Sequence, residues 1–401
     1  MKAIVCGGSI GGLFCAASLM HAGWEVVVAE RSAGDLSGRG AGIVTHPALI
    51  AALEAVGAGT EALGVAVTER VAYDVAGARV KTIAMPQVVT SWDRVHQLLR
   101  ALVPQGRYQP GRRLIAFHET GGAVTARFAD GSAEEADLLV GADGFRSAVR
   151  ALRQPQIASR YAGYVVWRAL ADEAALSPAF RDAVFGAFAF FVAADTEVVG
   201  YPIAGPDNDL RPAHRRYNFV WYAPAGEAAL ADMLTDGEGT RHTTTIAPPL
   251  IRAAVLDAML ADARRRLPAP FLEVLERGER PFFTPIYDHL SPVMGAGRVA
   301  LAGDAACVAR PHVGMGVTKA AGDALALARH LCEGNDVAGA LDAYSAERVP
   351  AARAAHERAQ MLGRLIFDPR EAGPAAANRD GRSHPQLDAI MRLTAIDTAA
   401  T

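Results

Sequence analysis

The first thirty residues constrain this chain more than any other stretch. Lys2-Ala3-Ile4-Val5-Cys6 is a short apolar run, Gly7-Gly8-Ser9-Ile10-Gly11-Gly12 interrupts it, and Leu13 to His21 carries apolar residues at helical spacing. Gly23 stops the helix, and Trp24 to Ala29 forms a second apolar run ending at Glu30. Strand, helix and strand in this order make a βαβ unit, so the sheet they begin is parallel. In a G-x-G-x-x-G turn the glycines allow tight folding and let backbone N–H groups approach a pyrophosphate at the helix N-terminus. Gly7 and Gly12 hold the outer positions, with Ile10 and Gly11 inside the turn. Ser9 replaces the middle glycine; it is small, and its hydroxyl can itself face a phosphate. Glu30 ends the second strand, where a carboxylate accepts ribose hydroxyls, with Arg31 beside it. The competing reading is a glycine-rich turn of an ordinary α/β protein.

Two later segments repeat the texture. Asp137 to Val140 is an apolar strand that runs into Gly141-Ala142-Asp143-Gly144 and a helix start capped by Ser147 or Asp143. Alone it reads equally well as a plain strand-turn-helix. Val299 to Ala302 then delivers Gly303-Asp304, where the carboxylate can bind a sugar-like hydroxyl. Pro311-His312-Val313-Gly314-Met315-Gly316-Val317-Thr318 follows and opens a helix running to Cys332, whose N-terminus can hold a phosphate or steady negative charge on a ring. Three such turns in one chain call for one extended ligand.

Between them the pattern changes. Val71 to Thr90 alternates like β structure, and from Tyr161 aromatic, alternating runs appear at 164–170, 188–192, 198–203 and 217–222. The expected fold is α/β: a Rossmann-like nucleotide domain (1–70, 91–160 and 282–335) interrupted by a mostly antiparallel sheet domain (71–90 and 161–281). Helices and a tail fill 336–401.

Composition excludes several classes. Forty basic and 43 acidic residues leave a formal charge of −3, which argues against nucleic acid or an anionic membrane as the main partner. Cys6, Cys15, Cys307 and Cys332 show neither zinc nor disulfide spacing and suit a reducing cytoplasm. The chain opens on a strand rather than a secretory leader, and no apolar run approaches the ~18 residues of a membrane span.

In order and spacing, the three motifs resemble those of the single-component flavin aromatic hydroxylases with the para-hydroxybenzoate hydroxylase fold. Gly7-Gly8-Ser9-Ile10, Leu36-Ser37-Gly38, the runs Tyr161 to Arg168 and Tyr217 to Tyr222, and Arg310-Pro311-His312 resemble the 2,6-dihydroxypyridine 3-hydroxylase branch. The resemblance implies non-covalent FAD and NADH or NADPH as transient reductant. Glu30 would bind the adenosine ribose, Asp143 would serve both nucleotides, and Asp304 would hold the ribityl or ribose region. Pro311 and Gly314 to Thr318 would lie along the flavin, Arg39 to Ile43 with Gly42 would form the loop carrying its ring, and Arg94 and Leu114 would touch FAD. Cys307, Met315 and Thr318 depart from the wider family, which often has His, Gln and Asn there.

The chemistry so implied is hydroxylation of a small electron-rich aromatic or N-heteroaromatic ring, hydroxypyridine-like or phenolic, by O₂ through a flavin C4a-hydroperoxide. Candidate bases are His46 and His312, for which flavin packing or a backbone partner is the competing role. Tyr201 and Tyr217 could orient substrate, or simply fill the core. The alternatives are a halogenase or lipid reductase of the same fold, or a non-catalytic FAD-fold binding protein. A halogenase would need a Trp-x-Trp-x-Ile-Pro stretch and a catalytic lysine, whereas Trp221-Tyr222-Ala223-Pro224 does not fit and the lysines are Lys2, Lys81 and Lys319. The protein is expected to be a soluble monomer or homodimer.

Overall fold

The computed structural model describes residues 1–34, 36, 42–368 and 384–397. Its two large sheets differ in how their strands meet. In the first, Lys2–Cys6 lies between Glu25–Glu30 and Leu138–Gly141, and Val299–Leu301 and Tyr108–Pro110 extend it on either side, all parallel. Gly295–Ala296 adds a short antiparallel edge. Ala3, Ile4, Leu138, Leu139 and Val140 have no exposed surface, as expected of strands covered on both faces. The helices Ile10–His21 and Gly316–Glu333 pack directly against each other, the first also lying on this sheet. The carboxyl ends of four of its strands, at Cys6, Glu30, Gly141 and Leu301, therefore gather along one edge, where open α/β sheets bind ligands.

The second sheet has nine strands, mostly antiparallel, with Phe188–Ala193 and Val65–Tyr73 the parallel pair. Trp167, Phe219 and Trp221 on one face bury against Phe271 and Val255 of the helices Ala269–Arg277 and Ala253–Arg266. The opposite face looks toward the first sheet. A separate three-stranded sheet, Leu114–Thr120, Ala123–Phe128 and Ala133–Ala136, sits on the nucleotide side.

The expected α/β class and the interrupted parallel domain match this architecture; the expected boundaries need correction. A boundary at residue 70 cuts the Val65–Tyr73 strand in two, and Gly42–Val44 already pairs with the end of Arg79–Ser91. Phe282–Leu290 and Cys307–Val308, assigned to the nucleotide domain, close the far edge of the nine-stranded sheet. Short strands owe their place to partners far along the chain, which local spacing does not reveal. The C-terminal helices are Val337–Phe367 and Leu387–Leu393.

Candidate active site

The crevice at the strand ends encloses about 640 Å³. Its turn tolerates no side chains at two points. Gly7 has φ 114° and faces the Ala142 carbonyl where a Cβ would stand, and a Cβ on Gly12 would enter the Gly7 carbonyl. Ser9 N-caps the following helix, and its side chain makes no capping bond, so the first N–H groups remain available toward the crevice. Glu30 is aimed by backbone: Gly8 N–H donates to Oε2 and Ser32 N–H to Oε1, both at 2.7 Å.

Two further carboxylates face the same space. Asp143 Oδ2 accepts from the Ala148 N–H at 2.6 Å, while Oδ1 is buried with no hydrogen-bond partner among the described residues. Burial raises its pKa, which that N–H donor opposes. Asp304 opens into the crevice yet lies deep in the molecule, so burial raises its carboxyl too, against the pull of Lys319. Beneath it, Lys319 Nζ donates to the Gly303 carbonyl (2.8 Å), and Asp323 accepts from Gly303 N–H (3.0 Å) and from Arg348 Nε (2.9 Å). This buried network fixes the turn that presents Asp304.

A second chamber of about 380 Å³ shares Asp304, Gly316 and Val317 with the first. Its walls come from the inner face of the nine-stranded sheet: Phe188, Tyr201, Val220, Tyr222 and Arg168. Burial pushes the Tyr201 phenol up to about 12. Arg168 makes no hydrogen bond or ion pair among the described residues. His312 stacks on Tyr222 at 4.3 Å between ring centres. Its Nδ1 lies 2.8 Å from Glu197 Oε2 and its Nε2 2.9 Å from the Tyr164 hydroxyl. With the carboxylate accepting from Nδ1–H, Nε2 accepts the Tyr164 proton, so both ring nitrogens are engaged.

Residues 161–288 match the "FAD binding domain-like" family and residues 286–359 the "FAD binding domain" family. The chain is 32% identical over 352 residues to 2,6-dihydroxypyridine 3-monooxygenase of Paenarthrobacter nicotinovorans, covering 86% of each. The chain belongs to the FAD-dependent aromatic monooxygenases. A solved structure of 2,6-dihydroxypyridine-3-hydroxylase from Arthrobacter nicotinovorans superposes with a TM-score of 0.86 at 31% identity, covering 94% of this chain and 95% of that one. The FAD-dependent urate hydroxylase of Klebsiella pneumoniae is 30% identical over 366 residues, 87% of this chain and 86% of that relative.

The crevice of this monooxygenase fits FAD by its own chemistry. It offers a glycine-rich turn with a helix N-terminus for phosphate and three carboxylates for hydroxyl groups, one with an orphaned oxygen. Gly7, Ser9, Ile10, Gly11, Glu30 and Arg31 line it at one end. Leu114, Asp143, Asp304, Gly316 and Val317 line the rest. Gly42, Tyr201, Pro311, His312, Gly314 and Met315 line the second chamber.

Several expected residues lie elsewhere. Tyr217 faces the opposite side of the sheet, fully buried against Phe180 and Phe185, and its hydroxyl has no partner among the described residues. It is a core residue of the monooxygenase and lines neither cavity. The reason is register: Tyr201 pairs with Asn218, and one step along a strand reverses the face. His46 lines neither cavity. Proline at 47 holds it extended (φ −117°, ψ 155°) at the N-cap of Pro47–Ala55, with Nδ1 2.8 Å from the Thr318 hydroxyl. Burial lowers its pKa. Thr318 thus faces His46 and is not part of the cavity wall. Arg94 is also off the crevice and donates to the Glu61 carbonyl at 3.2 Å. Gly12 shapes the turn from behind. Arg39 lies outside the described residues.

Trp92, Arg112, Arg113 and Arg146 line the crevice, and Arg168 the chamber, without having been singled out in the sequence. Arg112 and Arg113 follow Tyr108–Pro110, whose end is in register with Glu30. Recognising that short run as a parallel edge strand would have found them.

Proposed function

We propose that this monooxygenase hydroxylates a small hydroxylated N-heteroaromatic or phenol, beside an activating OH or ring nitrogen, with the ring held in the second chamber. The observation that carries this reading is the junction: an aromatic-walled chamber opens onto the cofactor crevice at Asp304, Gly316 and Val317. FAD, when bound, supplies two-electron chemistry between NAD(P)H and O₂. The net reaction is substrate-H + NAD(P)H + H⁺ + O₂ → substrate-OH + NAD(P)⁺ + H₂O. The relatives in the dihydroxypyridine branch and the urate hydroxylase support a hydroxylated heteroaromatic over a plain phenol.

The chain's own residues hold and activate the ring. Arg168 is a guanidinium without a counter-charge among the described residues, in a largely apolar chamber, so it favours a substrate oxyanion. Deprotonation makes the ring electron-rich, and a fixed cation lowers the hydroxyl's pKa so that its proton passes to water before the chamber closes. His312, with both nitrogens engaged by Glu197 and Tyr164, serves as an oriented wall rather than the first proton acceptor. His46, outside the chamber, takes no part in proton removal. The free cysteines fit a cytoplasmic location, where the chain would work as a monomer or homodimer.

A panel of hydroxypyridines and phenols tests this. At least one should stimulate NAD(P)H oxidation with O₂ uptake and yield a product one oxygen atom heavier. Arg168→Met should raise KM for that compound by roughly tenfold to a hundredfold, the size of one hydrogen bond to a charged group. If no compound yields product, the substrate class is wrong.

A further inference from the structure

Arg70 is an arginine with no exposed surface, on the Val65–Tyr73 strand, and takes part in no ion pair among the described residues. A buried guanidinium without a carboxylate is costly, and burial draws its pKa down to about 10. Three of its hydrogen bonds go to one target, the end of the Leu387–Leu393 helix. Nη1 donates to the carbonyls of Met391 (2.5 Å) and Thr394 (2.6 Å), and Nη2 to that of Ala395 (3.2 Å). Met391 is in the last helical turn, whose carbonyls a helix leaves unpaired, and Thr394 and Ala395 follow at the negative end of its dipole. Gln87 Oε1 accepts from Nε and Nη2, and the guanidinium lies over Phe188, 5.0 Å from the ring centre.

The segment held this way is part of the chamber. Thr394 and Ala395 line it beside His312 and Gly314. Ala395 N–H donates to the His312 carbonyl at 3.0 Å, and its methyl fills the space above Gly314. Ala395 also has φ 53°, a left-handed conformation an alanine holds only when its surroundings impose it. On the underside Leu387, Ile390 and Met391 are buried with Phe188, Phe190 and Tyr201.

We propose that Leu387–Ala395 is a plug that completes the wall of the substrate chamber, and that Arg70 is the positioning residue that seats it. The proposal rests on the aromatic ring occupying that chamber. Its consequence is coupling: a closed wall excludes water while oxygen is being transferred. A loosened wall diverts the same electrons to NAD(P)H + H⁺ + O₂ → NAD(P)⁺ + H₂O₂.

The test uses the FAD-loaded full chain with two variants, Arg70→Met and Ile390→Ala; the second loosens the plug from beneath while keeping Arg70 and every residue that lines the chamber, should the first not fold. Both should show faster amide exchange across 387–395. The share of NAD(P)H appearing as hydroxylated product should fall severalfold and hydrogen peroxide rise to match, with the rate of flavin reduction unchanged. Wild-type coupling in a variant whose 387–395 amides have lost protection overturns the proposal, as does unaltered protection in Arg70→Met. If the wild type hydroxylates no compound tested, the substrate reading fails, and the exchange data alone decide whether Arg70 seats the segment.

Discussion

The two chambers of this monooxygenase are built from different materials. The cofactor crevice is made of turns: strand ends, backbone N–H groups and carboxylates fixed by main-chain bonds, as Gly8 and Ser32 fix Glu30. The second chamber is walled mainly by side chains from the inner face of one sheet, contributed by strands from Gly42 to Ile286, and is closed by Pro311, His312 and the Gly314–Val317 turn and by Thr394 and Ala395. A turn-built site is specified over a few consecutive residues. A sheet-built site is specified only once register is known, so the first is marked by motifs and the second is not.

Three measurements press on that contrast, the largest effect first. Asp304→Ala removes a crevice acceptor whose turn is independently held by the Lys319, Asp323 and Arg348 network, so the loss should be local. Hydrogen bonds to a charged group contribute about 1.5–3 kcal/mol, so FAD should bind roughly tenfold to a hundredfold more weakly. Fluorescence titration of apoprotein reads this directly. An unchanged affinity would mean the crevice does not depend on its carboxylates.

The second concerns His289, where Phe282–Leu290 pairs with Cys307–Val308 between the chambers. Its Nε2 accepts from Arg150 (2.9 Å), and Nδ1 donates to the Ser159 hydroxyl (2.9 Å). Burial, then the Arg150 charge, pulls its pKa down from 6.5 to about 3. The folded state thus binds fewer protons than the unfolded chain in this window. The stability this neutral histidine contributes is complete above pH ~6.5 and declines as pH falls toward 3, by at most about 1.4 kcal/mol per unit. Denaturant melts between pH 7 and 5 should show that slope, and His289→Gln should flatten it. An equal slope in the variant would place the acid sensitivity elsewhere.

The smallest effect separates two tyrosines one register step apart. Tyr217→Phe deletes a buried hydroxyl without a partner among the described residues, so stability and kinetics should hold or improve slightly. Tyr201→Phe removes a hydroxyl facing the chamber and should change substrate KM a few-fold while leaving the melt alone. The reverse pattern would show that the sheet faces are assigned the wrong way round.

Those tyrosines also show how far the sequence can be read. The Gly7–Gly12 turn, Glu30, Asp143 and Asp304 were legible because strand, turn and acid follow one another within a few residues. The interrupted parallel domain followed from the same texture returning at Val299. Tyr201 and Tyr217 looked alike because Thr196–Ile203 and the run from Tyr217 to Ala223 are buried on both faces, leaving no polar alternation to tell inside from outside. Arg168 was hidden for a different reason: it closes the run Tyr161 to Arg168, but nothing in the spacing of that run tells which of its side chains turn toward the other sheet. Arg70 and its target are more than 300 residues apart, and no local pattern joins them.

The parallel sheet that carries the crevice is assembled out of order. Leu138–Gly141 pairs on one side with Lys2–Cys6 and on the other with Val299–Leu301. On the ribosome, the first βαβ unit must therefore wait through the synthesis of eight of the nine strands of the second sheet before its own last parallel strand emerges. Pairings this distant are slow to form and leave strand edges open meanwhile. A cofactor filling the crevice that Glu30 and Asp304 both line would stabilise only the finished arrangement. Flavin supply during expression should thus govern how much of this protein matures and how much aggregates, quite apart from its part in turnover.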